Sequence, residues 1–180
     1  MKRLVVISGP AGVGKGTLVK MLTERNEDVV VSVSCTTRSP RVGEVEGKHY
    51  FFLTKERFEE IIKENGFLEY DKHFDNYYGT PKDFVFKTLE QKNVILEIEV
   101  NGAMQVKKAY PETLLVMIVP PSLEALKERL IQRNSETEES LQKRLARVDY
   151  ELSFRKQYDY VIVNDDLESA YQSLLKTIKQ

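Results

Sequence analysis

Tryptophan is absent from this chain, cysteine occurs once, at Cys35, and histidine only twice, at His49 and His73. A single thiol cannot close an intrachain disulfide, which agrees with a reducing compartment. Two histidines without ligand-like spacing give no zinc-type cluster. The chain also lacks an excess of either charge: 27 Lys and Arg face 28 Asp and Glu, leaving a net charge of −1. A polycation built for duplex nucleic acid is thereby excluded. Long apolar runs are missing as well. The longest, Leu114 to Val119, falls far short of the ~18 residues that a membrane-spanning helix needs. The apolar stretch behind Lys2 and Arg3 is too short for a signal peptide and runs straight into glycines. The expectation is a cytoplasmic protein engaging neither membrane nor nucleic acid. What is present, 41% hydrophobic residues including 8 Phe and 9 Tyr in 180 residues, is enough for one domain around one core.

Strand and helix patterns alternate along the chain. Leu4 to Ser8 is a short β-branched run that ends in a Gly-Pro signal and reads as a buried strand. Behind it Leu18, Met21 and Leu22 recur at helical spacing as far as Arg25. Val29 to Val33 reads as a second strand, and Ser34 to Lys48, with Pro40, Gly43 and Gly47, as a loop. His49 to Leu53 reads as a strand, and Thr54 caps a helix bearing Phe58, Ile61 and Ile62 that Asn65-Gly66 closes. Phe67 to Tyr70 and Tyr77 to Gly79 read as brief strands of a small inserted sheet. Thr80-Pro81-Lys82-Asp83 predicts a helix start with the Thr80 hydroxyl as its cap. Further strands are expected at Val94 to Val100, Leu114 to Val119 and Tyr160 to Val163. The intervening helices cover Gly102 to Ala109, Ser122 to Arg133 and Leu141 to Leu152, and a last one starts at Asp166. Asn134 to Glu139, polar and without an apolar anchor, reads as a mobile loop. The alternation argues α/β, with a mostly parallel central sheet flanked by helices.

Gly9-Pro10-Ala11-Gly12-Val13-Gly14-Lys15-Gly16-Thr17 has the G-x-x-x-x-G-K spacing between a predicted strand and a predicted helix. Glycines in that context let backbone N–H groups curl around phosphate oxygens, and Lys15 can neutralise them. Gly16 stands where many such loops carry Ser or Thr, so a hydroxyl for Mg²⁺ comes from Thr17 or is missing. Arg38 and Arg41, three apart in a glycine-containing loop, suit a phosphate dianion through their planar forks. Glu97 and Glu99, two apart in one predicted strand, share a face and require cationic partners if buried. Arg147 and Arg155 lie near the helical angle of Arg144, and both read as members of a solvated face.

Read in order, GPAGVGKGT, SCTTRSPRVGE with EGKHYFF, GFLEY, NYYGT, LEIEVNG, RNSETEES, QKRL and VIVNDD give a chain that resembles guanylate kinases nearly end to end. The resemblance implies reversible transfer of the γ-phosphoryl group of ATP to GMP, with Mg²⁺, in purine nucleotide metabolism and GMP recycling. It implies a P-loop NTPase-type core over 1–33, 81–125 and 159–180, a small mixed-β GMP-binding region over 34–80 and a helical lid over 126–158. A monomer or small homo-oligomer is expected. ATP binding falls to Gly9, Pro10, Ala11, Gly12, Val13, Gly14, Lys15, Gly16 and Thr17, and to Asn164 near the adenine. GMP binding falls to Ser34, Arg38, Arg41, Tyr50, Glu69, Tyr78, Thr80, Glu97 and Glu99. Of these, Glu69 and Thr80 face the base: guanine offers N1–H and N2–H₂ donors beside an O6 acceptor, a set adenine cannot match. Of Glu97 and Glu99, one reaches Mg²⁺, its water shell or Lys15 and the other the guanine side, with the division open. Lys15, Arg38, Arg133 and Arg144 are the catalytic cations. Asn101, Asn134 and Ser135 depart from the usual family residues. A non-catalytic scaffold module of the same fold is disfavoured by the intact Lys15 loop and the lid arginines.

Overall fold

A computed structural model of the chain describes residues 2–73, 75–132 and 138–180. The chain runs β1 (Leu4–Ser8), α1 (Lys15–Arg25) and β2 (Val29–Val31). It then leaves the main sheet for β3 (Ser34–Thr36), β4 (Tyr50–Phe52), α2 (Lys55–Lys63), β5 (Phe67–His73) and β6 (Asn76–Pro81). It returns through α3 (Lys82–Leu89), β7 (Asn93–Glu97), α4 (Val100–Ala109), β8 (Leu114–Val119), α5 (Leu123–Gln132) and α6 (Glu138–Ser153). A short 3-10 turn (Phe154–Gln157), β9 (Tyr160–Val163) and α7 (Leu167–Lys179) complete it. The main sheet is parallel with the order β2-β7-β1-β8-β9, and the second has the order β4-β3-β6-β5 with mixed directions.

Successive side chains of a strand point to opposite faces, and β1 divides its apolar residues accordingly. Val5 and Ile7 pack with Leu18 and Leu22 of α1 and Leu174 and Ile178 of α7. Leu4 and Val6 pack with Val85 of α3 and Ala103 and Val106 of α4. All four are buried, each contributing roughly 2 kcal/mol, which is why β1 sits at the centre. Expected caps form: Thr54 accepts from the Arg57 N–H at 3.2 Å, Ser122 from Ala125 at 3.0 Å and Asp166 from Ser169 at 2.8 Å.

Four expectations are corrected. Ser34 to Thr36, expected as loop, is strand β3, paired with β4 and β6; its partners are distant in sequence, so its polar residues carry no local signal. Strands β5 and β6 outrun the brief segments expected because they pair as a hairpin out to His73 and Asn76. Thr80 does not cap α3, since it lies inside β6 and its hydroxyl is bonded to Glu69. Strand β7 ends at Glu97, which leaves Glu99 as the residue preceding α4 rather than a strand neighbour of Glu97. The loop expected over Asn134 to Glu139 lies outside the described residues up to 137; Glu138 and Glu139 already belong to α6.

Register then positions the site. Ile7 pairs with Glu97 and Ser8 with Met117, so the carboxyl ends of β1, β7 and β8 meet where the strand order reverses, the usual crevice for ligands in open α/β sheets. The second sheet is tied to that edge by Gln105 of α4, which bonds both the N–H and the C=O of Tyr70 at 3.2 Å.

Candidate active site

The loop between β1 and α1 is built from backbone. Gly9 has φ 144°, and a Cβ there would lie 2.1 Å from the Ile118 carbonyl oxygen. Gly14 precedes α1 in the left-handed region at φ 94°, and a Cβ there would lie 2.5 Å from Asn164 Nδ2. Only glycine fits either place. No side chain caps the first turn of α1, so its amides and the positive end of the helix dipole face the loop interior. The Lys15 ammonium folds over that interior and donates to the carbonyls of Gly9 at 2.5 Å and Pro10 at 3.1 Å. Burial pulls its pKa below the ordinary lysine value, and the charges of Glu97, Glu151 and Glu99 oppose that shift. Asn164 is buried beneath the loop, donating Nδ2–H to the Val13 carbonyl at 2.8 Å, while its own carbonyl accepts from Arg129 at 3.0 Å.

Beside the loop a cavity of about 610 Å³ opens between the two sheets. Its wall includes Ser34, Arg38, Arg41, Tyr50, Glu69, Tyr78, Glu97 and Glu99, so residues expected from five separated segments meet in one place. Thr80 is the exception. It lines a smaller cavity of about 170 Å³ that shares Ser34, Tyr50, Glu97 and Ile98 with the first, and it stands behind Glu69, donating its hydroxyl hydrogen to Oε1 at 2.5 Å. Both residues are buried, which makes this pair costly to break. Gly102 packs against the other oxygen: a Cβ there would stand 3.1 Å from Glu69 Oε2.

At the opposite wall the Arg38 fork engages both oxygens of Glu44, at 2.8 and 3.0 Å, and lies over the Tyr50 ring at 5.5 Å. Glu44 also accepts from the Arg41 N–H at 2.7 Å. These bonds hold the Glu44 carboxyl at about 2, well below the ordinary 4.5, and raise the Arg38 pKa in turn.

Between loop and cavity, Glu97 stands at the end of β7 with Oε1 3.7 Å from where a Gly16 side chain would begin. Glu99 accepts from Arg147 of α6, whose Nε also donates to Glu151 at 3.1 Å. Arg147, although exposed like Arg155, is therefore an ion-pair partner and not the purely solvated residue its helical position suggests. Glu151 is buried, which raises its pKa against the pull of Arg147 and Lys15. Thr17 is exposed on the first turn of α1. Arg133 lies outside the described residues; Arg144 is on α6, and its side chain also lies outside the description.

Several participants escaped the sequence reading: Glu44, Asp71, Asn76 and Gly102 around the cavity, and Arg129, Arg147 and Glu151 around the loop. Glu44 had a signal, a carboxylate three residues after Arg41 in a loop with two forks to satisfy. The others are brought in by strand pairing and helix docking, which leave no local pattern.

The whole chain, residues 1–180, matches the guanylate kinase family. A relative named guanylate kinase from Caldanaerobacter subterraneus subsp. tengcongensis is 48% identical over 172 residues, covering 95% of this chain and 84% of its own. Another of that name, from Clostridium tetani, is 51% identical over 176 residues, covering 97% and 84%. Among solved structures, the crystal structure of guanylate kinase from Anaplasma phagocytophilum superposes with a TM-score of 0.74 at 29% identity, covering 99% of this chain and 85% of that one.

Proposed function

This chain belongs to the guanylate kinase family and is an ATP:GMP phosphotransferase; on that premise we propose which of its groups perform the transfer. The donor triphosphate takes the Gly9 to Thr17 loop, whose uncapped α1 amides and Lys15 ammonium supply positive charge to oxygens of the transferred group. GMP takes the 610 Å³ cavity, its phosphate held by Arg38 and Arg41 with hydroxyls of Ser34, Tyr50 and Tyr78. Glu69 accepts from the N1–H and N2–H₂ edge of guanine, and Thr80 acts through it, fixing one carboxylate oxygen so that the other keeps a set direction. The observation that carries the reading is the convergence of two arginines and Glu69, the latter braced from behind by its buried bond to Thr80, in one cavity beside the Lys15 loop.

Phosphoryl transfer asks the protein for alignment and charge more than for covalent chemistry. Lys15 follows charge onto the moving group, and Arg133 and Arg144 add positive charge from the lid region when it closes and excludes water. In this reading residues 34–80 are the GMP-binding region and 126–158 the lid region. Glu44 is a placeholder for the acceptor phosphate: a carboxylate already spanning the Arg38 fork keeps that side chain extended toward the cavity.

Mg²⁺ fits the donor set here, since Thr17 and Glu97 offer hard oxygen ligands beside the loop, and a magnesium ion takes few protein ligands along with phosphate and water oxygens. When bound it offsets the phosphate charge. A role in purine nucleotide metabolism and GMP recycling in the cytoplasm completes the proposal. The test is ADP formation with ATP and each of GMP, AMP, CMP, UMP and dTMP: GMP is expected to be preferred by ~10⁴ or more, and equal turnover across the panel would overturn the assignment.

A further inference from the structure

Helix α6 presents Arg147, Tyr150 and Glu151 on one face, at spacings of three and four. Arg147 pairs with Glu99 through Nη2 and with Glu151 through Nε, and the Tyr150 hydroxyl donates to Asn101 Oδ1 at 2.7 Å. Glu99 and Asn101 line the large cavity, whereas Glu151 is buried within reach of the Lys15 charge. One guanidinium thus spans a carboxylate of the acceptor cavity and a carboxylate beneath the donor loop.

We propose that Arg147 is a positioning residue for GMP binding, holding the Glu99 carboxylate in the cavity wall. The proposal rests on the reading of that cavity as the GMP site. Glu99 needs such a partner. It occupies the N-cap position of α4, yet its side chain makes no cap bond to the helix, so nothing in the local backbone fixes the rotatable bonds that carry its carboxylate. A planar fork anchored on a second carboxylate sets position and direction together, which a flexible ammonium does not. Glu97, Glu99 and Glu151 moreover crowd around Lys15, and a second cation keeps their mutual repulsion from turning Glu99 outward. The Tyr150–Asn101 bond holds the same two elements in register, so the guanidinium meets its target without a search.

Steady-state kinetics with GMP and ATP varied in turn test this on the wild type, Arg147→Gln, Arg147→Lys, Glu99→Gln and the double variant Glu99→Gln/Arg147→Gln. Arg147→Gln is expected to raise KM for GMP about 5-fold, the range of a half-exposed ion pair, with kcat and KM for ATP within about two-fold. Arg147→Lys recovers part of the loss. On the Glu99→Gln background the Arg147 change adds under about two-fold, because its target is already gone. An equal effect on both backgrounds, or parallel rises in both KM values such as a loosened α6 produces, overturns the proposal. If Glu99→Gln alone leaves KM for GMP unchanged, the acceptor reading of Glu99 falls and the proposal with it. If Glu99→Gln raises that KM and Arg147→Gln does not, only the proposal falls. Should Arg147→Gln not fold, Arg147→Lys decides: a selective rise in KM for GMP of about two-fold or more supports the proposal, and none overturns it.

Discussion

The two halves of the site are made of different material. The donor loop is backbone: its shape comes from left-handed and tightly packed glycines, from amides at the start of α1 and from a carbonyl braced by Asn164. The cavity is side chain: forks from the segment between β3 and β4, and hydroxyls and carboxylates delivered by β3, β4, β5, β6, the end of β7 and the residues after it. A backbone site recognises what all nucleotides share, phosphate. A side-chain site can match one base and reject the others, because the wrong base leaves buried partners unpaired. Under the proposed roles, generic affinity and specificity fall to separate parts of one chain.

In the proposed mechanism that contrast breaks first at Lys15, the one side chain of the donor loop given a part in the transfer. Lys15→Met is expected to lower kcat by about 10²–10³-fold while calorimetric GMP affinity stays unchanged; normal turnover would remove Lys15 from the mechanism. On the acceptor side, Glu69→Gln is expected to lower kcat/KM for GMP by about 10²-fold, with no comparable loss for AMP. An unchanged base preference would dismiss the proposed guanine contact. Gly14→Ala sharpens the backbone half, since it combines a disfavoured φ of 94° with a Cβ 2.5 Å from Asn164 Nδ2. It should cost about 1–3 kcal/mol in denaturant unfolding, and adding Asn164→Ala should recover only the steric share. Gly102→Ala, whose new Cβ meets Glu69 Oε2 at 3.1 Å, should raise KM for GMP several-fold by about the same route on a smaller scale and leave KM for ATP alone.

The smallest effect concerns Glu44. Its carboxyl is held at about 2 against an ordinary 4.5 by the Arg38 fork. A carboxylate depressed on folding stabilises the folded state fully above 4.5, and that contribution drains away as pH falls toward 2. The urea midpoint of Glu44→Gln should therefore fall below that of the wild type most at pH 7 and converge with it in acid; a gap that widens on acidification would reverse the assignment.

The donor half was legible in the sequence because its elements are contiguous: β1, the glycines and α1 follow one another within 25 residues, and each has a local signature. For the acceptor half, the spacing of Arg38 and Arg41 marked them as phosphate forks, whereas Glu69 and the tyrosines were singled out only through the family resemblance. The sequence misplaced Thr80 as a helix cap because hydroxyl, proline and aspartate in succession satisfy the local rule. The tertiary alternative, a buried bond to Glu69, prevails because Thr80 lies inside β6 and a hydrogen bond to a buried carboxylate is worth more than a helix cap. The same holds for Glu97 and Glu99, whose spacing suggested one strand face until Val100 opened a helix.

By itself, then, the order of residues determined the alternation of strands and helices, the phosphate loop and the two arginines of the acceptor segment, all consequences of short-range periodicity and backbone freedom. The tertiary structure alone decided that β3 is a strand, that Thr80 serves Glu69 and that Arg147 reaches Glu99. Each of those depends on groups far apart along the chain, and a pairing between distant polar groups gains its strength from the burial and alignment that only packing creates.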